Sequence, residues 1–188
     1  MQKIYPCSLS PEEYNKAEHH SQVQCDTVCP HCQKALGLRA LGYYLRWITT
    51  ILGALLQIRV RRFRCRNCKG NVSYLPSFAL TYRIVHHQIV QDFIDGLQPT
   101  GAMQHWWTLL QAYRRSWQKW AQTLRQELGC AFGRPTEKET VSDFWHRLRR
   151  KGGSMMEITI GLIKGWEVTL FRRYCCHQQT EQYHFSQG

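Results

Sequence analysis

A chain of 188 residues, 43% of them hydrophobic, has enough apolar material for one moderate core or two small ones, which excludes wholesale disorder. Its formal charge is +12, and the excess is local: residues 29–84 carry ten Lys and Arg and not one Asp or Glu. So uneven a charge points to a polyanion as partner.

Residues 1–24 are predicted to form an N-terminal extension. "MQKIYPCSLSPEEYNKAEHH" has no basic segment followed by an apolar core, so it does not read as a signal peptide. Nine cysteines, an odd number that includes two Cys-x-x-Cys pairs, suggest metal ligation in a reducing compartment rather than a disulfide framework. A cytoplasmic, nucleoid-associated protein is expected.

Residues 25–76 are predicted to be a zinc ribbon. Cys29-x-x-Cys32 is answered, after 32 residues, by Cys65-x-x-Cys68. Two residues between thiols let the chain form a knuckle that aims both sulfurs at one ion, and two knuckles complete a tetrahedron of Zn2+ ligands. Cys25 and His31 lie close enough in sequence to stand in for a ligand but are read as bystanders. Cys7, Cys130 and the Cys175-Cys176-His177 cluster are read as ordinary thiols and an ordinary His.

Between the knuckles, "LGYYLRWI" and "LQIRVRRFRC" are rich in β-branched and aromatic residues, with Gly53 in the connection, and predict a β-hairpin. In the second strand Ile58 and Val60 alternate with Gln57, Arg59 and Arg61. The doubled Arg61-Arg62 breaks that alternation and predicts a β-bulge. Five arginines, Arg59, Arg61, Arg62, Arg64 and Arg66, fall within eight consecutive positions, an arrangement suited to phosphate because each guanidinium is a planar fork of donors. A solvated strand edge that discourages aggregation would show the same charges. A tetrathiolate zinc site adds a net charge of −2 and leaves the surplus large. The apolar run Trp47–Ile58 is only 12 residues long, well short of the roughly 20 needed to span a bilayer, so no membrane association is expected.

Residues 77–152 are predicted to be helical. "TYRIVHHQIVQDFIDGL" places Val85, Ile89, Phe93 and Leu97 at intervals of four, with His86 and His87 on or near the polar side. "GAMQHWWTLLQ" predicts a short second helix. "AYRRSWQKWAQTLRQELG" predicts a third, with Tyr113, Trp117, Trp120, Leu124 and Leu128 in one stripe, Arg114, Arg115, Lys119 and Arg125 off it, and Gly129 as C-cap. This layout is that of a helix-turn-helix, whose last helix enters the major groove, although any three-helix unit would show the same stripe. "TEKE" at Thr136–Glu139 predicts the capping box of a fourth helix, which ends in Arg147, Arg149, Arg150 and Lys151.

Residues 153–188 are predicted to be a C-terminal hairpin and tail. Ile158, Ile160 and Leu162 alternate before a Lys164-Gly165 break, followed by Trp166, Val168 and Leu170. The apolar face would need a neighbour, either this chain's core or a protein partner. The expected fold class is therefore α+β: a small four-cysteine zinc ribbon with an extended β-hairpin, then a helical, helix-turn-helix-like bundle, then a C-terminal hairpin.

In order, "CPHC", "RRFRCRNC", "HHQIVQDFIDGL" and "YRRSWQKWAQTL" resemble bacterial insertion-sequence proteins: their small zinc-ribbon plus helix-turn-helix accessory or repressor proteins and the N-terminal DNA-binding parts of their transposases. The resemblance covers roughly residues 25–128. It implies Cys29, Cys32, Cys65 and Cys68 as zinc ligands and the helix around Arg114, Arg115 and Lys119 as base-reading element. It also implies duplex DNA as partner, with transposase or a second copy as a possible protein partner through the C-terminal hairpin.

Catalysis is not expected. An acidic-triad transposase needs three separated carboxylates on a ribonuclease-H-like sheet, and this chain has four Asp, Asp26, Asp92, Asp95 and Asp143, two of them one helical turn apart. No cysteine nucleophile is set among activating partners, and there is no phosphate-binding glycine pattern. The alternatives to a DNA-binding protein of a mobile element are an RNA-binding zinc ribbon, with Tyr43, Tyr44, Trp47 and Phe63 stacking bases, and a protein-protein adaptor.

Overall fold

The computed structural model describes residues 1–80 and 83–172. The described residues form two compact units, one of residues 1–50, 55–80 and 83–84 and one of residues 51–54 and 85–172. The architecture is mixed α and β, and no helix among the described residues is long and apolar enough to cross a membrane.

The first unit is a four-stranded sheet in the order β1-β4-β3-β2, from β1 (Gln2–Tyr5), β2 (Leu38–Thr49), β3 (Leu55–Cys65) and β4 (Asn71–Pro76). The hairpin of β2 and β3 matches the two predicted strands, and Gly53 takes the positive φ that its turn requires. Residues expected as an N-terminal extension supply β1, which pairs parallel with β4. Ser10 opens α1 (Pro11–Lys16) with a capping box to Glu13. On β3 the pairing with β4 covers only Arg61–Arg64, and beyond that stretch the Arg59 carbonyl of β3 accepts the Tyr14 hydroxyl of α1 at 3.0 Å. A backbone group that a fourth strand would have paired is thereby satisfied.

Coverage of the sheet changes face along its length. On one face Ile48, Ile58, Val60 and Leu75 are buried with Tyr14, Phe78 and Ala79. On the other, toward the cysteines, Phe63, Val72 and Tyr74 are buried beneath Val23 and Cys25. The broken alternation at Arg61-Arg62 records this change of covered face. The expected bulge is not in β3: its pairing with β4 runs without a shift, and the irregularity lies in β2 between Ala40 and Gly42.

The second unit is helical: α2 (His87–Ile94), a 3-10 helix (Gly101–Trp106), α3 (Trp107–Leu128), α4 (Val141–Gly152) and α5 (Met155–Trp166). Leu110, Tyr113, Trp117, Ala121, Leu124 and Leu128 form the buried stripe of α3, and Trp117 stacks on Phe144 at 5.6 Å. Near-buried Glu139 and Arg147 form an ion pair at 2.6 Å, and Gln91 Oε1 accepts the Met155 amide at 2.8 Å. The β2–β3 turn belongs to this unit, where Trp106 Nε1 donates to the Gly53 carbonyl at 2.8 Å.

Four expectations are corrected here. The predicted second helix is divided: its first part is the 3-10 helix Gly101–Trp106 and its remainder is the start of α3, because no Gly or Pro interrupts residues 107–128. The capping box of α4 is Thr140 with Asp143, one turn beyond "TEKE". His86 and His87 are buried rather than on a polar side, and His86 caps α2 by accepting the Gln88 amide.

Fourthly, the predicted C-terminal hairpin is the helix α5 over Met155–Trp166. Ile158 and Leu162 are two strand periods apart but also one helical turn apart, so the alternation fits either period. Ser154 and Glu157 settle it with a capping box, which strand chemistry would not use. Gly161 and Gly165 lie within the helix and do not break it. The Cys175-Cys176-His177 cluster and the expected tail lie outside the described residues.

Candidate metal centre and cationic surface

Each Cys-x-x-Cys is folded by the same local device. In the first knuckle the Gln33 amide donates to the Cys29 carbonyl at 2.9 Å, and in the second the Lys69 amide donates to the Cys65 carbonyl at 3.1 Å. The residue after each second cysteine, Gln33 or Lys69, is left-handed with φ of 56 or 61. That reversal turns the chain back so that both thiols of a pair lie on the inside of the turn. The knuckles are then tied together by the Arg66 amide, which donates to the Gly37 carbonyl at 2.6 Å, and by the start of the β2–β3 ladder at Leu38 and Cys65.

The result brings Cys29, Cys32, Cys65 and Cys68 together, with all four Sγ atoms within 4.8 Å of one another. Cys29 Sγ lies 3.8 Å from Cys68 Sγ, and Cys32 Sγ 3.7 Å from Cys65 Sγ. These separations are far beyond the roughly 2.05 Å of a disulfide. The four cysteines could hold a metal ion, and their thiols are unlike: burial pushes the Cys68 thiol up to about 12 and raises that of Cys29, while that of Cys65 is lowered. Hydrogen bonds from the Lys34 amide and then the Asn67 side chain draw the Cys32 thiol down to about 6. Cys25, Cys7 and Cys130 are free thiols outside the cluster, and Cys25 packs against the Phe63 side of the sheet.

The predicted cationic residues divide by what they touch. On the Ile58 face, at the cysteine end, Arg39 and Arg64 are directly opposed across the ladder, and with Cys65, Arg66 and Lys69 they line a hollow of about 460 Å3. Arg62 shares that face and lines a second hollow of about 380 Å3 with Gln2, Tyr44, Asn71 and Ser73. No carboxylate lines either hollow. Among the described residues Arg39, Arg62, Arg64, Arg66 and Lys69 form no ion pair. The Nε atoms of Arg62 and Arg64 are buried without a hydrogen-bond partner.

Arg59 and Arg61 point to the opposite face. Arg59 pairs with Glu18 at 3.3 Å and lies over the Tyr43 ring, while Arg61 lies over Phe63. Arg39 and Lys69 were missing from the expected set. Arg39 sits in β2, away from the Arg59–Arg66 cluster, and only the pairing register brings it opposite Arg64.

In α3, Arg125 donates to the Glu139 carbonyl at 2.7 Å, and Arg114 lies over the Phe93 ring at 5.4 Å. Both are engaged within the helical unit. Arg115 and Lys119 are exposed, one turn apart on α3.

Residues 29–111 match a family model described as a domain of unknown function, DUF6431. The match begins at Cys29 and includes all four clustered cysteines. No curated protein and no solved structure matches the chain.

Proposed function

We propose that this chain is a zinc-dependent DNA-binding protein that grips duplex DNA through the cationic Ile58 face beside its metal centre. The observation that carries the reading is the acid-free pair of hollows lined by Arg39, Arg62, Arg64, Arg66 and Lys69. Exposed Arg39, Arg66 and Lys69 and half-buried Arg62 and Arg64, with no carboxylate lining either hollow, are arranged for an external anion that can accept several donors at once.

Zinc is the metal that this thiolate set suits best. Sulfurs about 2.3 Å from a tetrahedral zinc are about 3.8 Å apart, which agrees with 3.8 and 3.7 Å here. When bound, the ion would cross-link the two knuckles and so hold Arg66 and Lys69 beside Arg39 and Arg64. Its tetrathiolate charge of −2 offsets only part of the local cationic excess.

Phosphate contacts of this kind supply affinity and position, while sequence preference needs contacts to base edges. Arg115 and Lys119 are the exposed pair available for that role, with α3 acting as the recognition helix of a helix-turn-helix-like unit. Action as a transposition accessory or a repressor of a mobile element rests on the resemblance of the cysteine knuckles and helix order to insertion-sequence proteins. The reading is of a binding protein rather than an enzyme.

The test is binding of the zinc-loaded protein to a random duplex pool across a salt series, with sequencing of the retained fraction. An enriched motif together with a steep salt slope is expected. Absence of duplex binding at physiological salt would overturn the reading.

A further inference from the structure

We propose that the open half of the Phe63 face is a second site that takes single-stranded nucleic acid, with bases against Tyr43, Leu45 and Trp47 and phosphates toward Arg59 and Arg61. This site is separate from the duplex-binding hollows, which open on the other face of the sheet.

The pairing register builds it. Tyr43 is opposite Arg61, Leu45 opposite Arg59, and Trp47 opposite Gln57. Directly opposed residues of an antiparallel pair project to the same face, so β2 presents an apolar column and β3 a polar column beside it. Within each column side chains recur at every second residue, about 7 Å apart. The apolar column is open to solvent, with Tyr43 45%, Leu45 53% and Trp47 49% exposed. Such a column gives bases a surface to stack on, and the neighbouring column gives the backbone its counter-charges.

The structure also separates available from unavailable rings. Phe63 is only 5% exposed and is packed against Tyr74, and Tyr44 projects to the Ile58 face. Of the four aromatics expected to stack bases, Tyr43 and Trp47 remain. Arg59 lies 5.2 Å over the Tyr43 ring and His20 meets the same ring in a T-shaped contact at 5.2 Å, so a base stacks on Tyr43 only as Arg59 turns to a phosphate, whereas neither of these contacts covers Trp47.

Charge selects the occupant. A duplex keeps its bases stacked inside and would leave the apolar column unused. A second copy of this chain would bring two sets of Arg59 and Arg61 into one interface, adding like charge. Among the described residues the carboxylate that meets these arginines is Glu18, held to Arg59 by an exposed ion pair, which phosphate can displace at little cost. A flexible single strand satisfies both columns together.

The test is fluorescence anisotropy with a labelled oligothymidylate and a labelled duplex of equal length, using the zinc-loaded full chain. Circular dichroism and metal content report folding of each variant. The double change Tyr43→Ala with Trp47→Ala is expected to lower single-strand affinity about a hundredfold, since each stacked base contributes on the order of tenfold or more, and to move duplex affinity less than about twofold. Trp47→Phe should retain most of the single-strand affinity. Arg39→Ala with Arg64→Ala should weaken duplex binding more than single-strand binding.

Single-strand binding without any duplex binding would uphold this site and sink the duplex reading. The proposal is overturned if the wild-type chain fails to bind oligothymidylate, or if the aromatic double variant weakens both ligands equally. It is also overturned if light scattering shows a wild-type dimer that the double variant abolishes, which would assign the column to a second copy.

Discussion

Arg39 and Arg64 stand directly opposite each other on β2 and β3, and no carboxylate lines the hollow they share. Like charges in register across a ladder destabilise a sheet. Arg39→Ala is therefore expected to leave stability unchanged or raise it by up to about 1 kcal/mol, while weakening duplex binding and reducing the salt slope by about 1. Thermal melting and a salt-dependent titration on the same sample check both. A variant that loses stability and binding together would show a structural role instead.

The metal centre should hold one ion per chain. Cys29→Ser or Cys65→Ser should abolish retention, because both are buried ligands of a four-sulfur set, whereas Cys7→Ser, Cys25→Ser and Cys130→Ser should leave the stoichiometry unchanged. Elemental analysis after dialysis measures this. Chelation should expose the amides that tie the knuckles, those of Gln33, Arg66 and Lys69, to hydrogen exchange before those of the central β3 residues Ile58 and Val60.

Glu139 and Arg147 test the helical unit. Both side chains are nearly buried, and Arg147 also donates to the Gly133 carbonyl at 2.7 Å. Removing one partner leaves the other charge buried and uncompensated, so Glu139→Ala is expected to destabilise the protein by about 3–5 kcal/mol in a urea melt.

His87 should give the protein a pH-dependent stability. Burial, and then the neighbouring His86, pull its pKa down to about 4 from the usual 6.5. The unfolded chain therefore takes up a proton that the folded chain refuses. Stability is full above about pH 6.5, falls as pH drops toward 4, and levels off below that, for a total of about 3 kcal/mol. His87→Gln should flatten this window, as read from urea midpoints across pH 4 to 7.

The cations of α3 should separate cleanly. Arg115→Ala with Lys119→Ala is expected to relax whatever sequence preference the selected duplexes show, with little change in melting temperature. Arg125→Ala should instead cost about 1 kcal/mol of stability through loss of its bond to the Glu139 carbonyl.

Local chemistry was legible in the chain wherever a short pattern has one physical meaning. The two Cys-x-x-Cys knuckles and the hairpin between them follow from spacing, and so does the buried stripe of α3 except at Trp120, where Ala121 is buried instead and the indole donates to the Thr169 carbonyl. Where two periods coincide, spacing was not enough: Ile158 and Leu162 suit a strand and a helix equally, and the capping box of Ser154 with Glu157 was the signal that would have decided it. The roles of the arginines were least legible, since Arg59, Arg61, Arg62 and Arg64 look alike in a run. Alternation along β3 places them on opposite faces, and coverage of those faces then makes their surroundings different.

From its residues alone, then, this chain declares two cysteine knuckles that could share a metal ion, a long cationic hairpin and a helical half, because these depend on contacts within a few residues or on charge that no folding can remove. Long-range pairing made the rest. The register that sets Arg39 against Arg64, and Tyr43 against Arg61, joins residues 18 to 25 positions apart in the chain. Such pairings depend on how the whole sheet buries its two faces, which no local spacing encodes.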